Sequence, residues 1–201
     1  MGKINRIEKK LPDVELLKLN EAYHKVMYWF FSFPDSAIGL NNLSSALEIS
    51  KTTTKKIIAD FEKNGFLIKS IYGKTWVVQC NRKHYFNNTK KIVFNLDMIF
   101  EAYYGGLRDH ILSIVGNAHA IILFGSYRKG DDNEKSDIDI GVEVAGTKDL
   151  KILQLGRVPI FGYRKDVAVN LHIFSRNKID INLFSNIANG IVLEGFLEVK
   201  T

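Results

Sequence analysis

Apolar and polar positions alternate along the first half of the chain with two different periods. Up to residue 64 the apolar side chains recur every three or four residues, as on one face of a helix. From residue 66 they occur in short runs that are typical of strands. The pattern predicts helices at residues 21–33, 40–47 and 52–64, and strands at residues 66–72 and 75–80. Pro34 should end the first helix, Ser50 should cap the third, and Gly65 should end the third.

In the second half, strand-like and helix-like segments are interleaved, which predicts an α+β or α/β domain. Residues 83–95 are polar and basic and are expected to link the two halves. The elements predicted beyond them are a helix at 96–115 interrupted near Gly105 and Gly106, strands at 118–124, 137–144 and 167–174, a helix at 186–192 and an edge strand at 196–200.

Composition adds little to this prediction of the fold, but it bears on the cellular compartment of the protein. Apolar residues make up 46% of the chain and charged residues 25%, as in ordinary globular proteins. The charged first ten residues lack the apolar core of a secretory signal, and no apolar stretch approaches the roughly 20 residues of a membrane span. One cysteine, Cys80, excludes an internal disulfide. A cytoplasmic protein without a membrane partner is therefore expected.

Charge is distributed unevenly between the two halves. Residues 1–91 contain 16 Lys and Arg against 8 Asp and Glu (net +8), and residues 92–201 contain 12 against 14 (net −2), which together give +6. The asymmetry suggests two modules with different partners, although lysine-rich surfaces also occur without a specific partner.

Candidate chemistry is concentrated in the segment FGSYRKGDDNEKSDIDIGV, which follows an apolar strand. Gly125 would permit a sharp turn that a phosphate can approach, and Ser126 would cap the next helical turn and offer its hydroxyl to the phosphate. Asp137 and Asp139 are two residues apart on a strand and so project from one face. Paired carboxylates repel each other unless a cation lies between them, and Mg²⁺ prefers oxygen ligands.

This segment resembles the signature of the DNA polymerase beta nucleotidyltransferase superfamily, most closely its minimal nucleotidyltransferase branch. The matching residues are Gly125, Ser126, Gly130, Ser136, Asp137 and Asp139. The resemblance spans about residues 96–200. It implies a small mixed sheet with helices on one side, and two Mg²⁺ (or Mn²⁺) ions bound by the aspartates. It also implies transfer of a nucleoside monophosphate, with AMP the expected group, from a nucleoside triphosphate to a hydroxyl acceptor.

The sequence departs from the family pattern at the third carboxylate, which the family takes from a later strand. The matching position here is Asn170, which has neither charge nor a basic site. His172 could bind a metal or accept a proton, or it could be a structural histidine. Asp166 is a weaker alternative, four residues earlier on the strand. Catalysis is accordingly assigned to Asp137, Asp139 and His172, with Asp137 and Asp139 as metal ligands.

Basic side chains beside the motif complete the predicted nucleotide site. Arg128 and Lys129 follow the Gly-Ser pair and could reach the β- and γ-phosphates, or they could lie on a solvated helix surface. The predicted nucleotide contacts are Gly125, Ser126, Arg128, Lys129, Ser136 and Asn170.

Element order in residues 18–85 resembles the winged-helix DNA-binding family, in which a helix-turn-helix precedes a hairpin. The resemblance makes residues 52–64 a recognition helix for double-stranded DNA. The predicted DNA contacts are Lys51, Thr53, Lys55, Lys56, Lys69 and Lys74. A winged helix used for protein contacts or dimerisation is the alternative.

Taken together, these features predict an N-terminal winged helix-turn-helix domain (residues 1–90) followed by a nucleotidyltransferase domain with a small mixed sheet and flanking helices (residues 91–201). The alternative is a winged-helix transcriptional regulator whose degenerate transferase domain only binds nucleotide. A third hypothesis is a toxin–antitoxin type protein that modifies a protein acceptor. A homodimer is a further prediction, because winged-helix proteins often bind DNA as dimers.

Overall fold

The computed structural model describes residues 20–147 and 149–197, which form two sheets and seven α-helices. In chain order the helices are α1 (Glu21–Ser32), α2 (Leu40–Ala46), α3 (Lys51–Lys63), α4 (Lys90–Ala102), α5 (Arg108–Val115), α6 (Gly125–Lys129) and α7 (Ile181–Ala188). The strands are β1 (Ile38–Gly39), β2 (Leu67–Tyr72), β3 (Thr75–Cys80), β4 (Ala118–Phe124), β5 (Ile138–Val144), β6 (Lys151–Phe161), β7 (Arg164–Phe174) and β8 (Ile191–Gly195).

Three helices and a small antiparallel sheet make up the first of the two structural units. The sheet has the order β1-β3-β2, so the hairpin of β2 and β3 gains a short third strand, which the sequence did not indicate. The Ser50 hydroxyl accepts a hydrogen bond from the Thr53 amide and caps α3 as predicted. Gly65 follows α3 with a φ of 84°, also as predicted. The predicted order of three helices and a hairpin is thus present.

The second unit is a five-stranded mixed sheet with the order β6-β7-β5-β4-β8. Strands β5 and β7 are parallel, and the other neighbours are antiparallel. The sheet is therefore of the α+β type, and the strand at residues 151–161 was missed by the sequence analysis.

The end of the chain differs from the prediction. The expected helix at 186–192 is wrong, because α7 begins at Ile181, capped by the Asp180 carboxylate, and ends at Ala188. A Cβ at Gly190 would lie 2.4 Å from Ile122 Cγ2, so only glycine lets the chain turn into β8 there. β8 (Ile191–Gly195) is an edge strand of the sheet and ends before residues 196–200, where an edge strand was expected; Phe196 and Leu197 are in no strand, and residues 198–200 lie outside the described part.

Helices cover both faces of the mixed sheet, whereas the family resemblance implied helices on one side. On one face α4 and α5 supply Ile99 and Ile111 to the main core. On the other face Ile187 of α7 packs against Ala120 and Ile122 of β4 in a second, smaller cluster. The middle strands β4 and β5 are therefore covered on both faces, whereas most side chains of the edge strand β6 are exposed.

One continuous core joins the two units. The Phe94 ring of α4 lies 4.7 Å from the Tyr28 ring and 6.2 Å from the Phe161 ring, measured between centroids, so it contacts both units. The expected linker at residues 83–95 is instead a 3₁₀ turn and the start of α4, with Asn87 and Lys91 buried. Buried apolar contacts of this kind hold units together far more rigidly than a solvated linker does. The domain division at residue 90 stays a prediction.

Within the described ranges, 20–147 and 149–197, no helix has the length and apolar character needed to cross a bilayer.

Replacement of Gly130 by alanine should destabilise the protein far more than the same change at Gly73. Both residues have positive φ, 76° and 60°, so alanine is strained by about 1 kcal/mol at either. At Gly130 the new Cβ would also lie 2.0 Å from the Asn87 carbonyl oxygen, whereas nothing lies within 4 Å of it at Gly73. We expect urea unfolding to show a loss of about 1 kcal/mol for Gly73→Ala and about 2 to 4 kcal/mol for Gly130→Ala. Equal losses of unfolding free energy in the two variants would contradict the close packing of Gly130 against the Asn87 carbonyl group.

Candidate functional site

Strand β5 separates a buried face from a polar face, as its sequence predicts. Ile138, Ile140 and Val142 are fully buried in the main core. Asp139 projects from the opposite face, where its side chain is 28% exposed. Asp137 comes just before the strand and is exposed. The two carboxylates therefore lie at the amino end of β5, on the face that is not filled by the main core.

The Gly125 turn lies directly against the Asp139 carboxylate. Phe124, the last residue of β4, pairs with Asp139 across the antiparallel ladder. Gly125 then turns with a φ of 74°, and a Cβ there would be 2.8 Å from Asp139 Oδ2. Glycine is required both for the backbone conformation and for the close approach of the acid. The sharp turn expected at Gly125 is present, and the approach of a phosphate to it stays a prediction.

Strand β7 brings Asn170 into contact with both aspartates. Because β5 and β7 are parallel neighbours, Asp139 pairs with Asn170 in the register. The Asn170 Nδ2 atom donates to Asp137 Oδ2 at 3.2 Å and to Asp139 Oδ1 at 3.5 Å. The amide thus supplies hydrogen where a third carboxylate would supply negative charge, and it offsets part of the repulsion between the two acids.

His172 is on β7, two residues after Asn170, and also contacts Asp139. Its Nε2 atom is 3.3 Å from Asp139 Oδ1, and its ring meets the Phe124 ring edge-on with 5.0 Å between centroids. Its Nδ1 atom is buried and has no hydrogen-bond partner among the described residues. Asp137, Asp139, Asn170 and His172 are therefore brought together as the sequence analysis anticipated. Asp166 lies four residues before Asn170 and is exposed.

The residues after Gly125 form one short helical turn, α6. No side chain caps this turn, so the prediction that Ser126 caps it is wrong, because Ser126 lies inside the turn rather than before it. Tyr127 is buried, Arg128 is half-buried and Lys129 is exposed. Ser126, Arg128 and Lys129 are thus at least partly exposed to solvent.

Ser136 makes its contacts within the preceding loop. Its hydroxyl accepts a hydrogen bond from the Asn133 amide at 3.0 Å, and its carbonyl oxygen accepts one from the Tyr127 hydroxyl at 3.3 Å. Burial raises the pKa of that Tyr127 hydroxyl, so it stays protonated and acts as a donor. The geometry assigns Ser136 a role in shaping the loop.

A buried polar cluster beside the site was missed by the sequence analysis. Its members are Lys91, Asn95, Asp132 and Arg164. The Lys91 ammonium lies 3.1 Å from the Asp132 carboxylate; burial lowers the pKa of Lys91, and the Asp132 charge opposes that shift. The available signal was the i, i+4 spacing of Lys91 and Asn95, which places both on one helix face, but residues 83–95 were interpreted as a linker.

The predicted DNA contacts lie on the surface of the first unit, with one exception. Exposed members of the set are Lys51, Thr53, Lys55 and Lys56 on α3 and Lys74 in the hairpin turn. Lys69 is only 17% exposed, because its ammonium is ion-paired with Glu62 and lies 4.4 Å from the centre of the Trp76 ring. Lys69 is thus less free than the others to contact a phosphate.

The donor set at Asp137 and Asp139 suits a hard divalent cation. Each carboxylate has an oxygen within 3.5 Å of the Asn170 Nδ2 atom, so the two acids lie on the same side of the site, and carboxylate oxygens are ligands that Mg²⁺ prefers. In the described part of the chain, no group of three or more His, Cys, Asp and Glu side chains is arranged to hold a metal ion. A cation bound here would take its remaining ligands from water or from a phosphate.

Comparison with known families agrees with this geometry. Residues 107–188 match the family model described as "Nucleotidyltransferase domain". The matched range contains Gly125, Asp137, Asp139, Asn170 and His172, and it supports the nucleotidyltransferase superfamily and a generic nucleotidyl transfer for this part of the chain. A search of curated proteins finds no match to the chain.

Conversion of Asn170 to aspartate should make stability depend on a divalent cation. The change removes the amide donor and places a third carboxylate against Asp137 and Asp139, so in EDTA we expect a loss of about 1 to 2 kcal/mol in the free energy of unfolding. Millimolar Mg²⁺ should restore more stability to Asn170→Asp than to the wild type. Urea unfolding with and without Mg²⁺ measures both effects.

Asn189→Asp is the matched control, because it also removes an amide hydrogen bond, to Ser185, but at the exposed end of α7. It should show no Mg²⁺ dependence beyond that of the wild type. The arrangement of the site is contradicted if Asn170→Asp is as stable as the wild type in EDTA.

Proposed function

We propose that the protein is a magnesium-dependent nucleotidyltransferase that moves a nucleoside monophosphate, with AMP the expected group, from a nucleoside triphosphate to a hydroxyl acceptor. The observation that carries the proposal is the placement of Asp137 and Asp139 on a common amide, directly beside the Gly125 turn. The family match to residues 107–188 supports the reaction class.

In this reaction the acceptor oxygen forms a bond to the α-phosphorus, the bond from that phosphorus to the pyrophosphate oxygen breaks, and the acceptor hydroxyl loses its proton. A bound Mg²⁺ (or Mn²⁺) would supply positive charge to the α-phosphate and the leaving group. Asp137 and Asp139 would hold the ion, and the ion would bind the α-phosphate beside the Gly125 turn, which packs against Asp139. Ser126, Arg128 and Lys129 on α6 would contact the remaining phosphates.

Asn170 and His172 determine how the acceptor proton can leave. Asn170 cannot accept it, because an amide has no basic site near neutral pH. His172 Nε2 points at Asp139, so the imidazole supports that carboxylate and could relay a proton through it. With two carboxylates rather than three, one tightly bound cation and slow turnover are expected.

The same amide favours a second candidate function, in which the domain binds nucleotide without turnover. Asn170 Nδ2 already donates hydrogen bonds to both carboxylates, which offsets part of their repulsion without a second cation. In that case the protein would be a transcriptional regulator that senses nucleotide through its second unit.

Either function can include DNA binding by the first unit. We infer that residues 20–80 form a winged helix-turn-helix, with α3 as the recognition helix and the hairpin of β2 and β3 as the wing. Lys51, Lys55 and Lys56 are exposed on α3, while Ile57, Ile58 and Phe61 on its other face are buried. Such a helix presents positive charge to phosphates on its solvent face.

Transfer should depend on Asp139 and not on Asp166. Incubation with each α-³²P-labelled triphosphate and Mg²⁺, followed by separation of protein, nucleic acid and small molecules, identifies the labelled acceptor and its base preference. For Asp139→Asn we expect pyrophosphate release to fall by at least about 100-fold, because the cation loses a charged ligand.

Asp166→Asn is the control, since Asp166 is an exposed aspartate on the neighbouring strand β7 and asparagine tolerates its positive φ of 54°. It should retain wild-type release. Tight Mg²⁺–nucleotide binding without any release by the wild type would reject the enzyme and favour the regulator. Absence of both binding and release would reject both functions.

DNA binding should weaken when the lysine charges on the exposed face of α3 are removed. In fluorescence anisotropy with a mixed-sequence duplex, Lys55→Ala with Lys56→Ala should lower the affinity at least tenfold. It should also reduce the slope of log K against log salt by about 2, because two phosphate contacts are removed. A charge-matched pair of substitutions, Lys165→Ala with Lys178→Ala, changes exposed lysines on the second unit and should leave both quantities unaltered. Equal effects of the two pairs would indicate charge attraction without a defined surface.

A further inference from the structure

The segment 130–136 connects the Gly125 turn to Asp137 and contains three acidic residues: Asp131, Asp132 and Glu134. It is called the acidic loop below. It contains no helix or strand, so its shape depends on side chains that bind its backbone.

Asp137 and Asp139 are held in place by different means. Asp139 belongs to β5 and is fixed by ladder pairing to Phe124 on one side and to Asn170 on the other. Asp137 precedes the strand and is exposed, so its position is set mainly by the acidic loop that leads into it. Whatever holds the end of this loop therefore also sets the geometry of the carboxylate pair.

Arg164 holds that end of the loop. It is 7% exposed, at the start of β7, and its guanidinium donates to the Ser136 carbonyl oxygen at 2.9 Å and to the Glu134 carbonyl oxygen at 3.1 Å. It also donates to the Tyr127 hydroxyl in α6. One planar cation thus joins the helical turn after Gly125 to the peptide unit immediately before Asp137.

The middle of the loop is held separately by α4. Lys91 Nζ donates to the Asp132 carbonyl oxygen at 2.5 Å, and Asn95 Nδ2 donates to Asp132 Oδ1 at 2.7 Å and to the Tyr127 carbonyl oxygen at 2.9 Å. Arg82, from the first unit, donates to the Asp131 and Asp132 carbonyl oxygens at 3.0 Å and 3.2 Å. These contacts end at Asp132. Nearer to Asp137 the buried donors are Arg164 and the Tyr127 hydroxyl, which donates to the Ser136 carbonyl oxygen at 3.3 Å and itself accepts from Arg164.

We propose that Arg164 is a positioning residue, which holds the Glu134 and Ser136 carbonyl groups so that Asp137 faces Asn170 and Asp139 as a cation ligand. The proposal rests on the proposed function for its consequence at the metal site, but its structural part stands alone. Arg164 does not touch the carboxylates, so it acts only through the loop. Its removal leaves Asp139 in the ladder and releases Asp137.

The first test is hydrogen exchange of the acidic loop in Arg164→Met. The Asn133, Lys135 and Ser136 amides are hydrogen-bonded within the loop, so their protection measures how well it is held. We expect exchange in residues 133–137 to accelerate at least tenfold while residues 139–143 of β5 stay protected.

Arg176→Met is the matched control. Arg176 is also partly buried and binds a buried carboxylate, Glu143, at 2.9 Å, but at the opposite end of β5. The control should lower stability without faster exchange in residues 133–137. If Arg164→Met and Arg176→Met accelerate the loop equally, the proposal is overturned.

Arg164→Lys keeps the positive charge, but its single ammonium can reach fewer of the three acceptors of Arg164, which are the Tyr127 hydroxyl and the Glu134 and Ser136 carbonyl oxygens. This variant replaces Arg164→Met in the test if Arg164→Met does not fold. It should give intermediate loop exchange, and loop exchange identical to the wild type would overturn the proposal.

A measurement of Mn²⁺ binding separates this proposal from the proposed function. Binding is measured as the loss of the electron paramagnetic resonance signal of the free ion. The order of affinity should be wild type, then Arg164→Lys, then Arg164→Met, with at least a tenfold loss overall and none for Arg176→Met. If the wild type binds no Mn²⁺, the proposed function fails, while the exchange comparison still decides whether Arg164 holds the loop. Unchanged Mn²⁺ affinity in Arg164→Met with a loosened loop would overturn the positioning role.

Discussion

Repulsion between two carboxylates held at one end of a strand is the interaction on which the second unit depends. Asp137 and Asp139 both contact a single amide, that of Asn170, so their charges are close enough to need compensation. The chain supplies part of it with the Asn170 donor and with His172 behind Asp139. A divalent cation with a triphosphate would supply the rest. A site left partly unbalanced by its own side chains is typical of a site that binds a charged ligand.

The surrounding fold holds Asp137 and Asp139 by different means: a strand ladder fixes Asp139, and buried side chains that bind the preceding loop fix Asp137. The ladder of β4, β5 and β7 fixes Asp139 through backbone hydrogen bonds that any sequence could make. The position before the strand depends on buried side chains, of which Lys91 and Asp132 form an ion pair with at most 3% exposure. Such pairs contribute little net stability compared with apolar residues of the same size, but removal of one partner is costly. Their value here lies in the single loop conformation that they select, and they connect the site to the first unit through Arg82.

Sequence patterns were most informative for helices and strands that have one buried face and one face exposed to solvent. Helices α1 to α3, the hairpin, β4 and β5 followed from apolar periodicity. The Asp-x-Asp spacing then placed Asp139 on the polar face of its strand. Strand β6 was missed because it is an edge strand with most of its side chains exposed, so its pattern KILQLGRVPIF does not alternate cleanly. The last helix was placed too late because apolar residues continue on both sides of Gly190, and only the packing of Gly190 against β4 shows where the chain turns. The polar cluster around Arg164 could not be predicted, since its members come from three separate segments and meet only in the folded chain.

The most direct test of the account is the position of a bound cation. Crystals of the protein grown with Mn²⁺ and a non-hydrolysable ATP analogue would show the ion by its anomalous scattering. The account requires one Mn²⁺ between Asp137 and Asp139, at about 2.1 to 2.3 Å from an oxygen of each, with the α-phosphate beside Gly125. An ion bound elsewhere, or a nucleotide whose phosphates do not approach these two carboxylates, would contradict it.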